Sequence, residues 1–424
     1  MKDHKKVLFS SGFNKSHIIA IASQLNKYSF YKIYLISSFY PKSRLRRVLK
    51  YLSPLSRSIY RLIDRSEDLD EKNVYSNIIS EFLCKLSLIF KNKNDNLKLK
   101  IENLGIKIYT NSSINILKKV KPNIYHYRCA YGSDSLDYAK KRKIITICDH
   151  TICHPRFLWT QLYLDNPVKD PFQIEKLNNI QALSMNDHFK LMEHDLNIAE
   201  NILTDCDLVK KTCVFYGLDP DKINVIYRGC DDKFLSYIES FKKNRKKRNE
   251  LFFAGSWTKR KGVMELSKAL IDLNQDITLN IAGASYADIK NLTPYIFNTK
   301  VKVNIYGYLN RDKLAEIYSD HNIFIMPSLA EGSARVGFEA LACGCFVITT
   351  PFSGTIVKDN INGFIIDAGN VNQLKIAIQK ALEIPKKDME HIMFNNYSLI
   401  RNEFTAKKYI KKLHDYYEFL ETKN

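Results

Sequence analysis

The chain has no apolar run long enough to span a bilayer, no Cys-x-x-Cys pair, no internal repeat and no low-complexity linker. Each absence excludes a class. The most apolar window, 78–90, is interrupted by Glu81 and Lys85 and falls short of the roughly 20 residues a membrane-spanning helix requires. The basic opening, Lys2 to Lys6, is followed by Gly12 and Asn14 before any apolar stretch of signal-peptide length, so a cytoplasmic location is expected. Nine cysteines lie scattered without a repeating spacing, which argues against a zinc or disulfide framework and for reduced, mostly core thiols.

What is present is a folding-competent composition with a charge bias. Hydrophobic residues make up 45% and aromatics 12% of 424 residues, enough apolar side chain for two cores of ordinary domain size. Against 45 acidic residues stand 65 Lys and Arg, a net charge of +20, so the expected partner is anionic. Nucleic acid, a phospholipid surface and a sugar nucleotide all meet that description.

The periodicity alternates between strands and helices twice over. Strands are expected at 7–11, 32–37, 107–109, 124–128, 143–148 and 202–205, and a second series at 223–227, 251–254, 277–282, 301–306, 322–326 and 346–349. The expected fold is therefore α/β, with two Rossmann-like doubly wound domains facing across a cleft. The expected boundaries are 1–218, 219–395, and a helical tail over 396–424 that packs back toward the first domain. The run Lys242–Arg248 reads as a solvated loop.

Two segments of the second domain carry chemistry. The first, Pro327-Ser328-Leu329-Ala330-Glu331-Gly332-Ser333-Ala334-Arg335, follows an apolar strand and opens a helix that contains Glu339. Small residues at Gly332, Ser333 and Ala334 let a ligand approach the backbone, and a helix N-terminus favours a diphosphate. Ionised Glu331 and Glu339 are pure acceptors, suited to sugar and ribose hydroxyls; the alternative is a cap and a surface residue. The second segment, Gly255-Ser256-Trp257-Thr258-Lys259-Arg260-Lys261-Gly262, turns out of another apolar strand with cations that could stabilise a departing diphosphate.

In that order and about 70 residues apart, these segments resemble the retaining glycosyltransferases of family 4, of the group 1 glycosyltransferases, which have the GT-B fold. The Gly255–Gly262 loop is similar to the family's Gly-Arg-x-x-x-x-Lys-Gly, and 327–349 to its Pro-Ser-x-x-Glu-Gly followed by Glu-Ala-x-Ala-Cys-Gly. Upstream, Asp219 to Asp231 resembles the interdomain strand and its Gly-Val-Asp turn, so the likeness covers about 190–395. The resemblance implies transfer of a sugar from a nucleotide diphosphate-sugar, without cofactor or metal, with Lys261 on the phosphates. It implies Glu339 on the ribose, and Glu331 with the backbone of Gly332–Ala334 on the sugar. Ser256 stands where the family has Arg, leaving Lys259 or Arg260 to replace it. A role in bacterial surface polysaccharide synthesis is the family-level expectation.

On the acceptor side the family has a glycine turn after the first strand, matched by Gly12, and a His after a central strand. Here the strand runs into Cys148-Asp149-His150; strict register selects Cys148, and the polar position at the strand's end selects His150. A structural Asp-His pair is the other reading. Between Lys42 and Arg65, eight basic residues oppose Asp64, with apolar residues at helical spacing and Arg57, Arg61 and Arg65 forming a stripe. Such a segment, 40–66, suits an anionic membrane face presenting a glycan or lipid-linked acceptor; two surface helices are the alternative. A sugar-nucleotide epimerase of the same fold and a basic nucleic-acid-binding protein are the rival functions, and the second leaves the Glu331–Glu339 loop without a use.

Overall fold

The computed structural model describes residues 4–423 apart from 15, 29, 53–61, 64, 66, 91–93, 164–184, 186, 240–248, 274 and 299. The Lys242–Arg248 run, Arg57 and Arg61 thus lie outside the described residues. Two parallel sheets organise the chain. The first contains β1 (Lys6–Ser10), β2 (Lys32–Ser37), β3 (Val74–Ser76), β4 (Ile124–Arg128), β5 (Ile145–Asp149), β6 (Asn201–Thr204) and β7 (Ile223–Val225), in the order β3-β2-β1-β4-β5-β6-β7. The second contains β8 (Glu250–Ala254), β9 (Thr278–Ala282), β10 (Lys302–Gly307), β11 (Ile323–Met326), β12 (Phe346–Thr349) and β13 (Gly363–Ile365), in the order β10-β9-β8-β11-β12-β13.

Both orders reverse beside the first strand of the sheet, at β1/β4 and at β8/β11. Ligands of open α/β sheets bind outside the carboxyl ends of the strands at such switch points. The switch points therefore put the loops after β1 and β4, and those after β8 and β11, in position to form a site.

Three sequence expectations need correction. Residues 107–109 are not a strand: they lie within the helix Asp95–Val120, where Ile106, Tyr109, Leu117 and Val120 are buried at helical spacing. The edge strand is β3, three residues long, too short to leave a period-2 signature. Ile223–Val225 does not open the second sheet; it pairs in parallel with β6 and closes the first. β13 was also missed, again a three-residue edge strand.

The C-terminal region is two helices, Lys386–Glu403 and Ala406–Lys423, parted at Phe404 and Thr405. The second lies on the first sheet. Its Tyr409, Ile410, Leu413, Tyr417 and Leu420 recur at helical spacing and join Val7, Phe9, Leu35, Ile124 and Ile147 in one core. Each fully buried side chain of this size contributes about 1.5–3 kcal/mol over leaving it exposed. The return is anchored where the Cys230 N–H donates to the Phe404 carbonyl (2.9 Å) and the Ala406 N–H to the Cys230 carbonyl (3.0 Å).

The two domains also share a core. Leu329, Phe352 and Ala368 of the second domain are buried among first-domain residues, with the Phe352 ring 5.6 Å from that of Phe157. The loops after β11 and β12 are therefore fixed against the helix Pro155–Tyr163.

Candidate active site

The strand β8 ends at Ala254, and beyond Gly255 a 3-10 turn, Lys259–Lys261, leads to Gly262 and the helix Val263–Leu273. Gly262 has φ +68°, and a Cβ there would stand 1.9 Å from the Pro327 carbonyl oxygen, so only glycine lets this loop meet the one after β11. The Leu329 N–H donates to the Arg260 carbonyl (2.8 Å), and Arg260 donates back to the Ala330 carbonyl (2.9 Å). Segments 70 residues apart in sequence thus form one surface.

Glu331 is the centre of that surface. Its Oε1 lies 2.5 Å from the Arg260 guanidinium and 2.6 Å from Lys261 Nζ. Burial alone would push the carboxyl up, but the two cations outweigh it and hold Glu331 below the usual carboxylate range. Arg260 and Lys261 thus both pair with Glu331. Ser256 is solvent-exposed at the start of the loop.

The backbone cradle differs from the sequence expectation. The Ala334 N–H donates to the Ser353 carbonyl (3.2 Å), so it is already satisfied within the domain. Gly332 forms an antiparallel bridge with Ile152, and a Cβ on Gly332 would stand 1.8 Å from the Thr151 carbonyl oxygen. Its smallness serves contact between the domains. Ser333 is buried, whereas the Arg335 side chain is 48% exposed at the start of the helix Arg335–Ala342.

Glu339, one turn further in, is buried. Arg311 lies 3.2 Å and Arg335 3.9 Å from its Oε1, and both arginines also reach Asp231 Oδ2, at 2.6 and 3.4 Å. Burial pushes the Glu339 carboxyl up, opposed by Arg335 and Arg311. The Arg311 Nε is buried without a hydrogen-bond partner among the described residues. Arg311 and Asp231 were not expected as partners of Glu339. The available signal was slight: Arg311 is the first residue of an Asn310-capped helix after β10.

In the first domain Gly12 has φ +69°, and a Cβ would clash with the Tyr131 ring at 2.4 Å. Its N–H donates to the Tyr109 hydroxyl (3.0 Å), so packing accounts for this glycine and its amide is not presented to a ligand. Cys148 turns into the core on the opposite face of the sheet from Asp149. His150 is buried, and burial pushes its pKa down to about 4, opposed by the neighbouring Asp149. The segment after it closes on the loop after β11, with Cys153 Sγ donating to the Glu331 carbonyl at 2.8 Å. His150 is thereby three residues from the contact that joins the two halves of the site.

A second cluster, not expected from sequence, sits at the carboxyl rim of the first sheet. Asp149 is bonded by His17 Nε2 on Oδ1 (2.8 Å) and by His126 Nε2 on Oδ2 (3.1 Å), and His126 Nδ1 meets the Tyr417 hydroxyl at 2.5 Å. Beside it Arg228, just past β7, donates to Asp205 Oδ2 through Nε (3.1 Å) and a terminal nitrogen (2.5 Å). Burial raises the Asp205 pKa to about 6 despite that arginine. Asp149 itself is held low, because His17 and His126 outweigh its burial.

Of the basic segment, the helix Ser43–Leu52 presents Leu45, Val48 and Tyr51 to solvent at 41%, 57% and 88% exposure. Arg44, Arg47 and Lys50 are exposed on the same helix. Arg65 departs from the expected stripe. It is buried and pairs with Glu81 at 3.0 Å, so it faces the protein. No helix of the described residues is long and apolar enough to cross a membrane.

Residues 237–397 match the family model described as glycosyl transferases group 1. An uncharacterized glycosyltransferase of Methanocaldococcus jannaschii is 28% identical over 46% of this chain and 53% of its own length. The UDP-Gal:alpha-D-GlcNAc-diphosphoundecaprenol alpha-1,3-galactosyltransferase of Escherichia coli is 25% identical over 43% and 52%. The chain spans about half the length of the curated relatives it matches. Among solved structures, sucrose-phosphate synthase from Thermosynechococcus elongatus superposes with a TM-score of 0.69 over 99% of this chain and 100% of its own, at 12% identity. Residues 237–397 are thus similar to the group 1 glycosyltransferases, and the chain as a whole has a GT-B fold.

Proposed function

We propose that the protein transfers a sugar from a nucleotide diphosphate-sugar onto a glycan or lipid-linked acceptor, with retention of configuration, in the synthesis of a bacterial surface polysaccharide. The observation that carries this reading is the charge arrangement at β8/β11. Lys261 and Arg260 converge on Glu331, and eight residues further on a buried Glu339 is flanked by two arginines. A diphosphate entering there would draw Lys261 and Arg260 from the carboxylate to its own oxygens. Glu331 would then be free to accept from the sugar hydroxyls, and the cations would stabilise charge growing on the leaving group. Glu339, acceptor-only when ionised, suits the ribose hydroxyls. Retention rests on the family resemblance, and the E. coli relative's diphosphoundecaprenol-linked acceptor supports a lipid-linked one.

An anionic lipid surface on the cytoplasmic side is part of this reading. Besides the exposed apolar residues and cations of Ser43–Leu52, Ile78, Ile79 and Phe82 are exposed on the helix that leaves β3. Apolar residues bordered by Arg44, Arg47 and Lys50 match a bilayer carrying negative headgroups.

The test is hydrolysis of a panel of UDP- and GDP-sugars together with nucleotide affinity by calorimetry. Glu339→Ala is expected to weaken binding of the preferred sugar nucleotide about tenfold or more, the usual cost of leaving charged partners unpaired. Unchanged affinity and turnover would remove the donor-site assignment. Proton NMR of the first-formed product reads the anomeric configuration; an inverted product would overturn retention and leave the transferase reading standing.

A further inference from the structure

We infer that Arg311 is a positioning residue for recognition of the donor's ribose, holding the Glu339 carboxylate toward the ribose hydroxyls from a clasp that Asp231 and Arg335 complete. This role rests on the proposed assignment of Glu339 to the ribose. It goes further, because it names what holds that carboxylate and ties it to the segment that joins the two sheets.

Arg311 opens the helix Arg311–Asp320 just beyond the carboxyl end of β10, behind an Asn310 cap that accepts from the Lys313 N–H. Its Nη2 donates to Glu339 Oε1 at 3.2 Å and lies 2.6 Å from Asp231 Oδ2. Arg335, on the helix that carries Glu339, lies 3.4 Å from the same Asp231 oxygen and 3.9 Å from the same Glu339 oxygen. Two arginines from two helices thus share two carboxylate oxygens. Both reach Glu339 on Oε1, and an ionised carboxylate can accept about four hydrogen bonds, so acceptor capacity remains for a ribose diol.

Asp231 is itself fixed. Its Oδ1 accepts from the Phe234 N–H at 2.7 Å at the start of the helix Asp232–Glu239, and its neighbour Cys230 bonds the C-terminal return at Phe404. The Arg311 guanidinium lies over the Phe234 ring of that helix, 5.2 Å from its centroid. A planar guanidinium gripped by a capping carboxylate and an aromatic face keeps one orientation toward Glu339. That grip leaves the Arg311 Nε buried without a hydrogen-bond partner among the described residues, which is unfavourable for stability alone. The clasp is thus set for the carboxylates and not for the most complete pairing of the arginine.

Charge acts in the same sense as geometry. Burial pushes the Glu339 carboxyl up, Arg335 and Arg311 oppose it, and Asp231 adds to it. Tyr318 and Cys230 also face Glu339, and burial holds both of them neutral. The two arginines are therefore what favours the ionised, acceptor-only form over a carboxyl that would itself donate.

The experiment uses the full chain and calorimetry with UDP and 2′,3′-dideoxy-UDP, or the matching GDP pair if a GDP-sugar is hydrolysed faster, from mildly acidic to mildly alkaline pH. The wild type is expected to favour the ribose form about ten- to a hundredfold, the range for hydrogen bonds to a charged group. Arg311→Gln should lose about tenfold in affinity for the ribose form and leave that for the dideoxy form unchanged. The acidic fall in UDP affinity should begin at higher pH in Arg311→Gln, which loses a cation. It should begin at lower pH in Asp231→Asn, which loses a like charge and still caps its helix. Arg311→Lys should restore the pH profile and only part of the ribose preference, since it keeps the charge without the fork. Wild-type ribose preference and pH profile in Arg311→Gln would overturn the inference. Equal weakening of both nucleotides would do the same, placing Arg311 on the phosphates, as would shifts of one sign in Arg311→Gln and Asp231→Asn, the mark of a merely structural cluster. A wild type that binds UDP without telling the two forms apart would remove Glu339 from the ribose and this inference with it, leaving the phosphate assignment standing. If the wild type binds no nucleoside diphosphate at all, the transferase reading fails first.

Discussion

The carboxyl rim of the second sheet and that of the first are built by different means. The rim of the second is local: Lys261 and Arg260 come from one loop, and Glu331 and Glu339 from another loop and the helix it opens. The rim of the first is assembled from residues 17, 126, 149, 205, 228 and 417, contributed by the helix after β1, by β4 and β5, by the segments after β6 and β7 and by the last helix. A phosphate can be held by loop amides and neighbouring cations, which a short motif supplies. Orienting an imidazole needs a dry carboxylate with both oxygens occupied, and that takes groups from several elements.

The comparison can be broken from either side. The largest effect is expected at Lys261→Ala, which removes a cation that the proposed function sets against the leaving diphosphate: kcat for sugar-nucleotide hydrolysis should fall about 10²–10³-fold. Retained turnover would mean that the rim of the second sheet does not work as a local motif.

Next is Gly332→Ala, which drives a methyl group into the Thr151 carbonyl across the domain boundary. Overpacking of this kind costs about 1–3 kcal/mol. The melting temperature should drop by several degrees, with a rise in KM for the donor, because the contact couples the two rims. A neutral substitution would show that the loops separate without cost.

Replacing Arg44, Arg47 and Lys50 together by Gln should reduce pelleting with vesicles containing phosphatidylglycerol and leave the already weak pelleting with phosphatidylcholine vesicles unchanged. Each cation near such a surface is worth about 1 kcal/mol. Equal indifference of the wild type to both vesicles would remove the membrane face.

The smallest effect concerns acidification. His17 and His150 both have pKa values near 4 in the folded chain, depressed from 6.5. The unfolded chain therefore binds more protons between those values, and stability is lost as pH falls from about 6.5 towards 4. Denaturant midpoints should decline over that window, and the decline should be shallower in His17→Gln. A flat profile in the wild type would mean that the rings are protonated in the folded state.

Much of the rim at β8/β11 was legible because it is encoded over short distances. Glu331, Lys261 and Glu339 were singled out from a strand, a loop of small residues and a helix start, and the structure brings the first two within 2.6 Å. Arg311 was not, because the contact with Glu339 spans 28 residues and arises from how two helices pack. Gly12, Gly332 and Ala334 were read as ligand-facing. In the folded chain Gly12 answers to Tyr131, Gly332 to Thr151 and the Ala334 amide to Ser353. A glycine records that something comes close, without saying whether it is a ligand or another part of the chain.

The sequence by itself determined two alternating α/β halves and the position of the loops after β8 and β11, since strand periodicity, helix starts and loop composition are local properties. Tertiary structure alone decided which sheet received Ile223–Val225, that 107–109 is helical, and that His17, Asp149, His126 and Tyr417 form one line. Those outcomes depend on strand order and on a helix folding back from almost 300 residues away, and neither leaves a period or a spacing in the chain.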